Sequence, residues 1–477
     1  MNLNQLTIKE AKEGLRQKKF SSVELTKDCL EQIKQHNKDL NAFVTITEKE
    51  ALKQAKASDD LASQDQVWEA KPLLGIPIAL KDLFSTKGIK TTAGSKVLEN
   101  YIPQYDATVV KKLKDAGAII IGKTNMDAWA HGSSGENSDF GSTKNPWNKE
   151  YMPGGSSSGS ATALAADMCI ASTGTDTGGS IRLPASFNNL VGLKPTYGLV
   201  SRYGIIAMAS SLDSIGHFTK TVEDSALFLN VTAGPDPLDA TTLPATQKDF
   251  TKNLNAGIKG LRIGVPKEFV TSDLNKEVKI KFNEAVKVLE NLGAKIVEVS
   301  LPYTEYGIAA YYIISPSEVS SNLARYDGVR FGLERENFGN EAKRRIMLGA
   351  HTLSSGYYDA YYKKAMSVRT LIKKDFENAF NPSTDGVDAL ISPVSPTLPW
   401  KLGEKVNDPL KMYLSDVLTV TANIAGIPSL SIPAGFSNDK LPIGIQIMGK
   451  QLSESLLFQI GNAFEKQTNF YKQKPNL

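Results

Sequence analysis

A single α/β domain, with a central mixed β-sheet covered by helices, is what this sequence predicts. Three observations predict it. Short apolar, β-branched runs recur along the chain, helical patterns separate most of them, and no Pro/Ser/Gly-rich linker or charge block divides the 477 residues. With 41% hydrophobic and 22% charged residues the chain can bury a large core, so disorder is not the default, and no internal repeat of fixed period is visible.

Taken in order, residues 7–60 set apolar positions such as Leu15, Val23, Leu25, Leu30 and Ile33 among charged ones, the pattern of an amphipathic N-terminal helical layer over residues 1–60. From Leu73 to Phe84 the chain is short, apolar and punctuated, which suits a buried strand interrupted by one lysine, Lys81. Val109 to Gly117 reads as a helix ending at glycine, and Ala118 to Ile121 as a strand. A Gly/Ser loop at Gly154–Ser160 then leads into an Ala-rich helix, Ala161–Met168, and a second Gly/Ser/Thr loop, Thr173–Ser180. Further strand candidates are Leu261–Val265, Lys295–Leu301, Val387–Ile391, Ser429–Ile432 and Gly444–Ile447, with a helical elaboration over residues 303–385.

Composition excludes several functions. The net charge of +4 is small for this length, and Lys and Glu are interspersed, so no polybasic nucleic-acid surface stands out. No stretch of about 18 uncharged apolar residues occurs and the N-terminus has no apolar signal core, which predicts a cytoplasmic protein without a membrane span. Cys29 and Cys169 are too few for a disulfide framework and sit in apolar helical patterns. His36, His131, His217 and His351 are scattered, so no metal site is expected.

Two motif matches fail on context. Gly117–Thr124 fits a phosphate-loop expression, but its interior is β-branched strand rather than an open loop of N–H groups. Gly155–Gly159 fits a nucleophile elbow, but the turn-like Asn145–Pro153 cannot supply the preceding strand, and no histidine is marked out for a triad.

The constellation that survives is Lys81, Ser156 and Ser180. In Gly174-Thr-Asp-Thr-Gly-Gly-Ser180-Ile-Arg, glycines let the backbone turn tightly before a serine that opens a helix. The N–H groups of Thr177, Gly178, Gly179 and Ser180 then form a natural oxyanion hole, although an N-cap serine after a glycine turn would look the same. Lysine works as a base only when neutral, and an apolar strand supplies the desolvation that lowers its pKa. Asp82, next in the strand, points to the other face and is structural.

Gly154-Gly-Ser-Ser-Ser-Gly-Ser160, Gly174–Arg182 and Gly192-Leu-Lys-Pro-Thr-Tyr-Gly198 together resemble the amidase signature family, along nearly the whole chain. The resemblance implies Ser180 as nucleophile, Ser156 after a cis peptide bond as the bridging serine, and Lys81 as the base. Within the family, Ser320–Arg330, Lys343–Gly349 and Leu353–Tyr362 are similar to the glutaminase branch that serves tRNA-dependent amidotransferases. That similarity implies glutamine as substrate, gripped by Tyr311, Arg345 and Asp416. It implies B and C partner subunits, with the partner contacting tRNA and holding ATP and Mg, and no cofactor in this chain. Arginine suits a bidentate grip on an α-carboxylate and aspartate suits an α-ammonium. A stand-alone amidase for other small amides is the alternative, and a catalytically silent scaffold a third reading that intact Lys81, Ser156 and Ser180 argue against.

The chain also departs from the family pattern. Ser158 stands for the usual glycine and Asn188-Asn189 for Cys-Gly. Ala128-Trp-Ala-His-Gly132 replaces Glu-Phe-Ala-Met-Gly, and Gly332–Phe338 is short, as if a helical insertion were missing.

Overall fold

The protein is described by a computed structural model over residues 2–63, 66–244 and 249–477. Its strands are β1 (Phe43–Ile46), β2 (Pro77–Lys81), β3 (Ile119–Thr124), β4 (Ala171–Asp176), β5 (Val191–Lys194), β6 (Ser214–Thr219), β7 (Arg262–Pro266), β8 (Lys295–Val299), β9 (Ala389–Pro393), β10 (Ser429–Phe436) and β11 (Pro442–Met448). They form one sheet in the order β1-β3-β2-β4-β6-β5-β10-β11-β9-β7-β8. The pairs β2–β3, β2–β4, β7–β8 and β7–β9 are parallel and the remaining pairs antiparallel, so the sheet is mixed, as the sequence predicts.

Helices cover both faces of the central strands, which is why β2, β3, β4, β5 and β6 are buried at every position and read as continuous runs rather than alternating ones. The N-terminal layer starts with helices Ile8–Arg16 and Ser22–Leu40. Reciprocal capping boxes, Thr7 with Glu10 and Ser21 with Glu24, satisfy their first backbone donors. This layer is not wholly helical. Phe43–Ile46 is β1, pairing antiparallel with β3, and a four-residue edge strand is too short to disturb a helical periodicity.

A second correction concerns the Gly/Ser/Thr loop. Its first half, up to Asp176, belongs to β4, a central strand whose small polar residues Ser172, Thr173 and Thr175 are buried and hydrogen-bonded. The Ala-rich helix runs from Ser158 to Ala165, against β2, β3, β4 and β6, and the helix after the second loop starts at Arg182, two residues beyond Ser180. Helices Asn340–Thr352 and Lys364–Ala379 both pack on helix Gly307–Leu323, and a three-residue turn, Arg335–Asn337, occupies the short segment before the first of these two.

Both cysteines are buried and free. Among the described residues no group of three or more His, Cys, Asp or Glu is placed to hold a metal ion, and no helix is long and apolar enough to cross a membrane.

Candidate active site

Lys81 ends β2 and is completely buried. Burial pushes its pKa from the ordinary 10.5 down to about 7, against the pull of the surrounding Asp127, Asp213 and Asp176 carboxylates. Its Nζ lies 2.9 Å from Ser156 Oγ, 2.9 Å from Ser157 Oγ and 2.8 Å from Thr175 Oγ1. The three hydroxyls can accept the three N–H donors of the protonated amine, and around the neutral form, with two N–H donors and one lone pair, one of them turns to donate. Ser157 donates its own proton to the Thr175 carbonyl at 3.2 Å, so it can only accept from Lys81, which leaves Ser156 and Thr175 to supply the donor to the lone pair.

The peptide bond between Gly155 and Ser156 is cis. The two Gly/Ser loops are stitched together by Ser157 N donating to the Ser180 carbonyl at 3.3 Å. Ser180 itself is 8% exposed, at the rim of this buried cluster.

The loop ahead of Ser180 is shaped by Asp176. Its carboxylate accepts from the backbone N–H of Gly179 at 2.9 Å, Ile181 at 3.1 Å and Arg182 at 3.3 Å, and takes Nε and Nη2 of Arg182 at 3.1 and 3.0 Å. Although burial raises its pKa, the Arg182 guanidinium more than offsets this and holds the carboxyl well below the usual range. Arg182 also donates to Gln446, the Thr419 carbonyl and Asn423, which fastens the loop to β11 and to the helix Val420–Ala425. Thr177 Oγ1 donates to Asp213 at 2.6 Å. Gly179 has φ +138°, a region side chains rarely adopt. At Gly178 a Cβ would come within 2.7 Å of the Tyr311 hydroxyl, so the backbone there passes close against the phenol end of Tyr311. Of the four candidate oxyanion donors, Gly179 has its N–H committed to Asp176 and can serve a second acceptor only as a bifurcated donor.

Tyr311, Arg345 and Asp416 are all buried and lie in one cluster. Asp416 accepts from Ser133 Oγ at 2.8 and 2.9 Å and from the Tyr312 hydroxyl at 3.0 Å, while burial pushes its pKa up to about 7. Arg345 donates Nε to Glu341 at 2.8 Å and lies over the stacked rings of Tyr312 and Tyr413, 5.3 and 5.5 Å from their centroids. Its Nη1 is buried without a hydrogen-bond partner. Arg345 and Ser133 line a cavity of about 430 Å³. The Ser133 carbonyl accepts from Gly155 N at 2.9 Å, so the cavity wall abuts the residue before Ser156. Arg344 lines the same cavity but is 42% exposed and paired with Glu341.

Several site residues escape the sequence reading. Ser157 and Thr175 touch Lys81, and Ser133, Tyr312 and Tyr413 surround Arg345 and Asp416. Ser157 could have been found as the second serine of a loop already singled out. Thr175 lies in the second loop already singled out and Tyr312 is next to Tyr311, whereas Ser133 and Tyr413 carry no local signal. Asp82 is structural, as expected, pairing with Lys123 at 3.4 Å and accepting from Thr92.

Comparison with known proteins bears on the family of the whole chain. The profile of the Amidase family matches residues 24–458. The A subunit of glutamyl-tRNA(Gln) amidotransferase from Caldanaerobacter subterraneus is 53% identical over 485 residues, covering 98% of each chain, and that from Coxiella burnetii is 50% identical over 490 residues, covering 100% of each. The solved A subunit of the same enzyme from Thermotoga maritima superimposes with a TM-score of 0.83 at 41% identity over 100% of this chain and 98% of that one. The peptide amidase of Stenotrophomonas maltophilia gives 0.85 at 30% identity over 98% of both. A profile match across most of the chain and relatives of this identity over its full length leave one assignment: the chain belongs to the amidase family.

Proposed function

We propose that this chain is the glutaminase subunit of a tRNA-dependent amidotransferase. One observation carries the chemistry: a buried lysine amine, its pKa near neutrality, set among three hydroxyls including that of Ser156. Ser180 attacks the side-chain carboxamide carbon of glutamine, passing its proton through Ser156 to Lys81. The oxyanion of the tetrahedral intermediate accepts from backbone N–H groups of Thr177, Gly178 and Ser180, with Gly179 as a shared donor. The proton returns from Lys81 through Ser156 to the leaving nitrogen, ammonia departs, and an acyl-enzyme remains on Ser180. Water, deprotonated by the same relay, attacks the ester to give glutamate and free Ser180.

Arg345 holds the α-carboxylate and Asp416 the α-ammonium, with Tyr311 beside the oxyanion loop. The relatives' full-length similarity supports assembly with B and C subunits in the cytoplasm, where the ammonia amidates misacylated Glu-tRNA(Gln) or Asp-tRNA(Asn). In this reading ATP and Mg belong to the partner and this chain needs no cofactor.

The test is ammonia release from glutamine by the chain reconstituted with its partners, with trapping of the acyl-enzyme and intact-mass analysis. A single adduct that disappears in Ser180→Ala supports the reading. Robust turnover of neutral amides with none of glutamine would favour the stand-alone amidase instead.

A further inference from the structure

His131 is a residue of the cavity to which the proposed reaction gives no role. It lies in the segment Ala128–Gly132, ahead of Ser133. Its side chain is completely buried, it lines the same cavity as Arg345, and neither ring nitrogen has a hydrogen-bond partner. Two unpartnered ring nitrogens are expensive, because a buried polar atom without a partner forfeits its hydration and gains nothing in return. Methionine would fill the space without that cost. Arg345 Nη1 is unpartnered in the same cavity. Two neighbouring side chains therefore hold hydrogen-bonding capacity that no protein group uses.

Burial first, and the nearby Arg345 cation second, push the imidazole pKa well down, so the ring stays neutral with one N–H donor and one acceptor nitrogen. A neutral donor beside a guanidinium suits a bound carboxylate, to which both can donate without two cations being crowded together. The acceptor nitrogen suits an N–H of the same molecule or a water in the cavity.

We propose that His131 is a substrate-positioning residue, its imidazole N–H sharing the substrate α-carboxylate with Arg345. This rests on the glutaminase reading and adds to it a second donor to the carboxylate. The effect belongs in binding of the charged substrate and not in proton transfer, since neither ring nitrogen of His131 is hydrogen-bonded to Lys81, Ser156 or Ser180.

The experiment uses the reconstituted complex and compares kcat/KM for glutamine with that for a neutral carboxamide lacking the α-carboxylate. Losing a hydrogen bond to a charged group predicts that His131→Met lowers the glutamine-to-neutral-amide ratio about 10- to 100-fold. The loss appears in KM, with kcat largely kept, and His131→Gln, which retains an N–H donor, recovers much of it. Equal losses for both substrates, or no gain of His131→Gln over His131→Met, would overturn the proposal. A second measurement does not depend on variants at 131. In a Ser180→Ala complex carrying ring-15N histidine, saturating glutamine should move the His131 resonances. If glutamine binds calorimetrically and those resonances stay put, the His131 role is wrong and the glutaminase reading stands. If glutamine does not bind at all, the glutaminase reading itself falls.

Discussion

Titrating Lys81 tests the core of the chemistry. A lysine with the ordinary pKa of 10.5 would be neutral in about 0.03% of molecules at pH 7. With the pKa at about 7, half are neutral, so the buried strand raises the supply of base about 1,500-fold. Because the active form is the deprotonated one, kcat/KM should rise about tenfold from pH 6 to pH 8 and level off above. A neutral carboxamide is the substrate of choice, since it keeps the titration of Asp416 out of the profile. Ammonia release in a coupled assay gives the rates. Lys81→Ala should lose about three orders of magnitude or more, and Lys81→Arg should not rescue, because guanidinium stays protonated. The same shift has a signature in stability. Between about 7 and 10.5 the unfolded chain binds the lysine proton that the folded chain has released, so stability rises with pH across that window, by at most about 1.4 kcal/mol per pH unit, and Lys81→Ala should flatten the rise. A rate profile flat between pH 6 and 8, a midpoint above 9, or near-normal turnover in Lys81→Arg would refute the reasoning.

Four further outcomes are expected. Thr175→Val removes one of the hydroxyls at Nζ and should lower kcat about 5- to 100-fold with KM little changed, by steady-state kinetics. Arg345→Ala should cost about 2–5 kcal/mol in kcat/KM for glutamine and far less for a neutral amide, whereas Arg344→Ala, half-exposed and held by Glu341, should show no such selectivity. Asp176→Asn leaves the buried Arg182 charge uncompensated and should destabilise the fold by about 3–5 kcal/mol in denaturant unfolding. Because the Asp176 pKa is held low, the stability it contributes is present above the unfolded carboxylate pKa and is lost as pH falls, so in Asp176→Asn the acid limb of the stability curve should be shallower.

Much of this molecule can be read without coordinates. Runs such as Pro77–Lys81 and Ile119–Thr124 announce themselves because both faces of the sheet are covered there, and a lone lysine in such a run is conspicuous. β4 is harder to see, since Ser172, Thr173, Gly174 and Thr175 look like loop. They are tolerated in a central strand only because Lys81 and the Ser157–Ser160 segment supply partners across the layer. The glycine turn before Ser180 suggests an oxyanion hole, but not that Asp176 consumes one of its donors, because that depends on where a carboxylate folds back. Asp213, Thr419, Asn423 and Gln446 lie far from the loop they brace. Nothing local in their surroundings marks them, since their role exists only once the sheet has closed.

That bracing sets a schedule for the chain during synthesis. Lys81, Ser156 and Ser180 leave the ribosome early, yet the guanidinium of Arg182 waits for Thr419, Asn423 and Gln446, and β5 waits for β10. Long-range closures of this kind form late, after the loops between them have been ordered. A nascent or truncated chain ending before Thr419 therefore carries Lys81, Ser156 and Ser180 while the loop before Ser180 keeps its Asp176 and Asp213 contacts and lacks those to Thr419, Asn423 and Gln446. On the proposed reading, hydrolytic competence should arrive with the last strands, and an incomplete product of translation should release no ammonia.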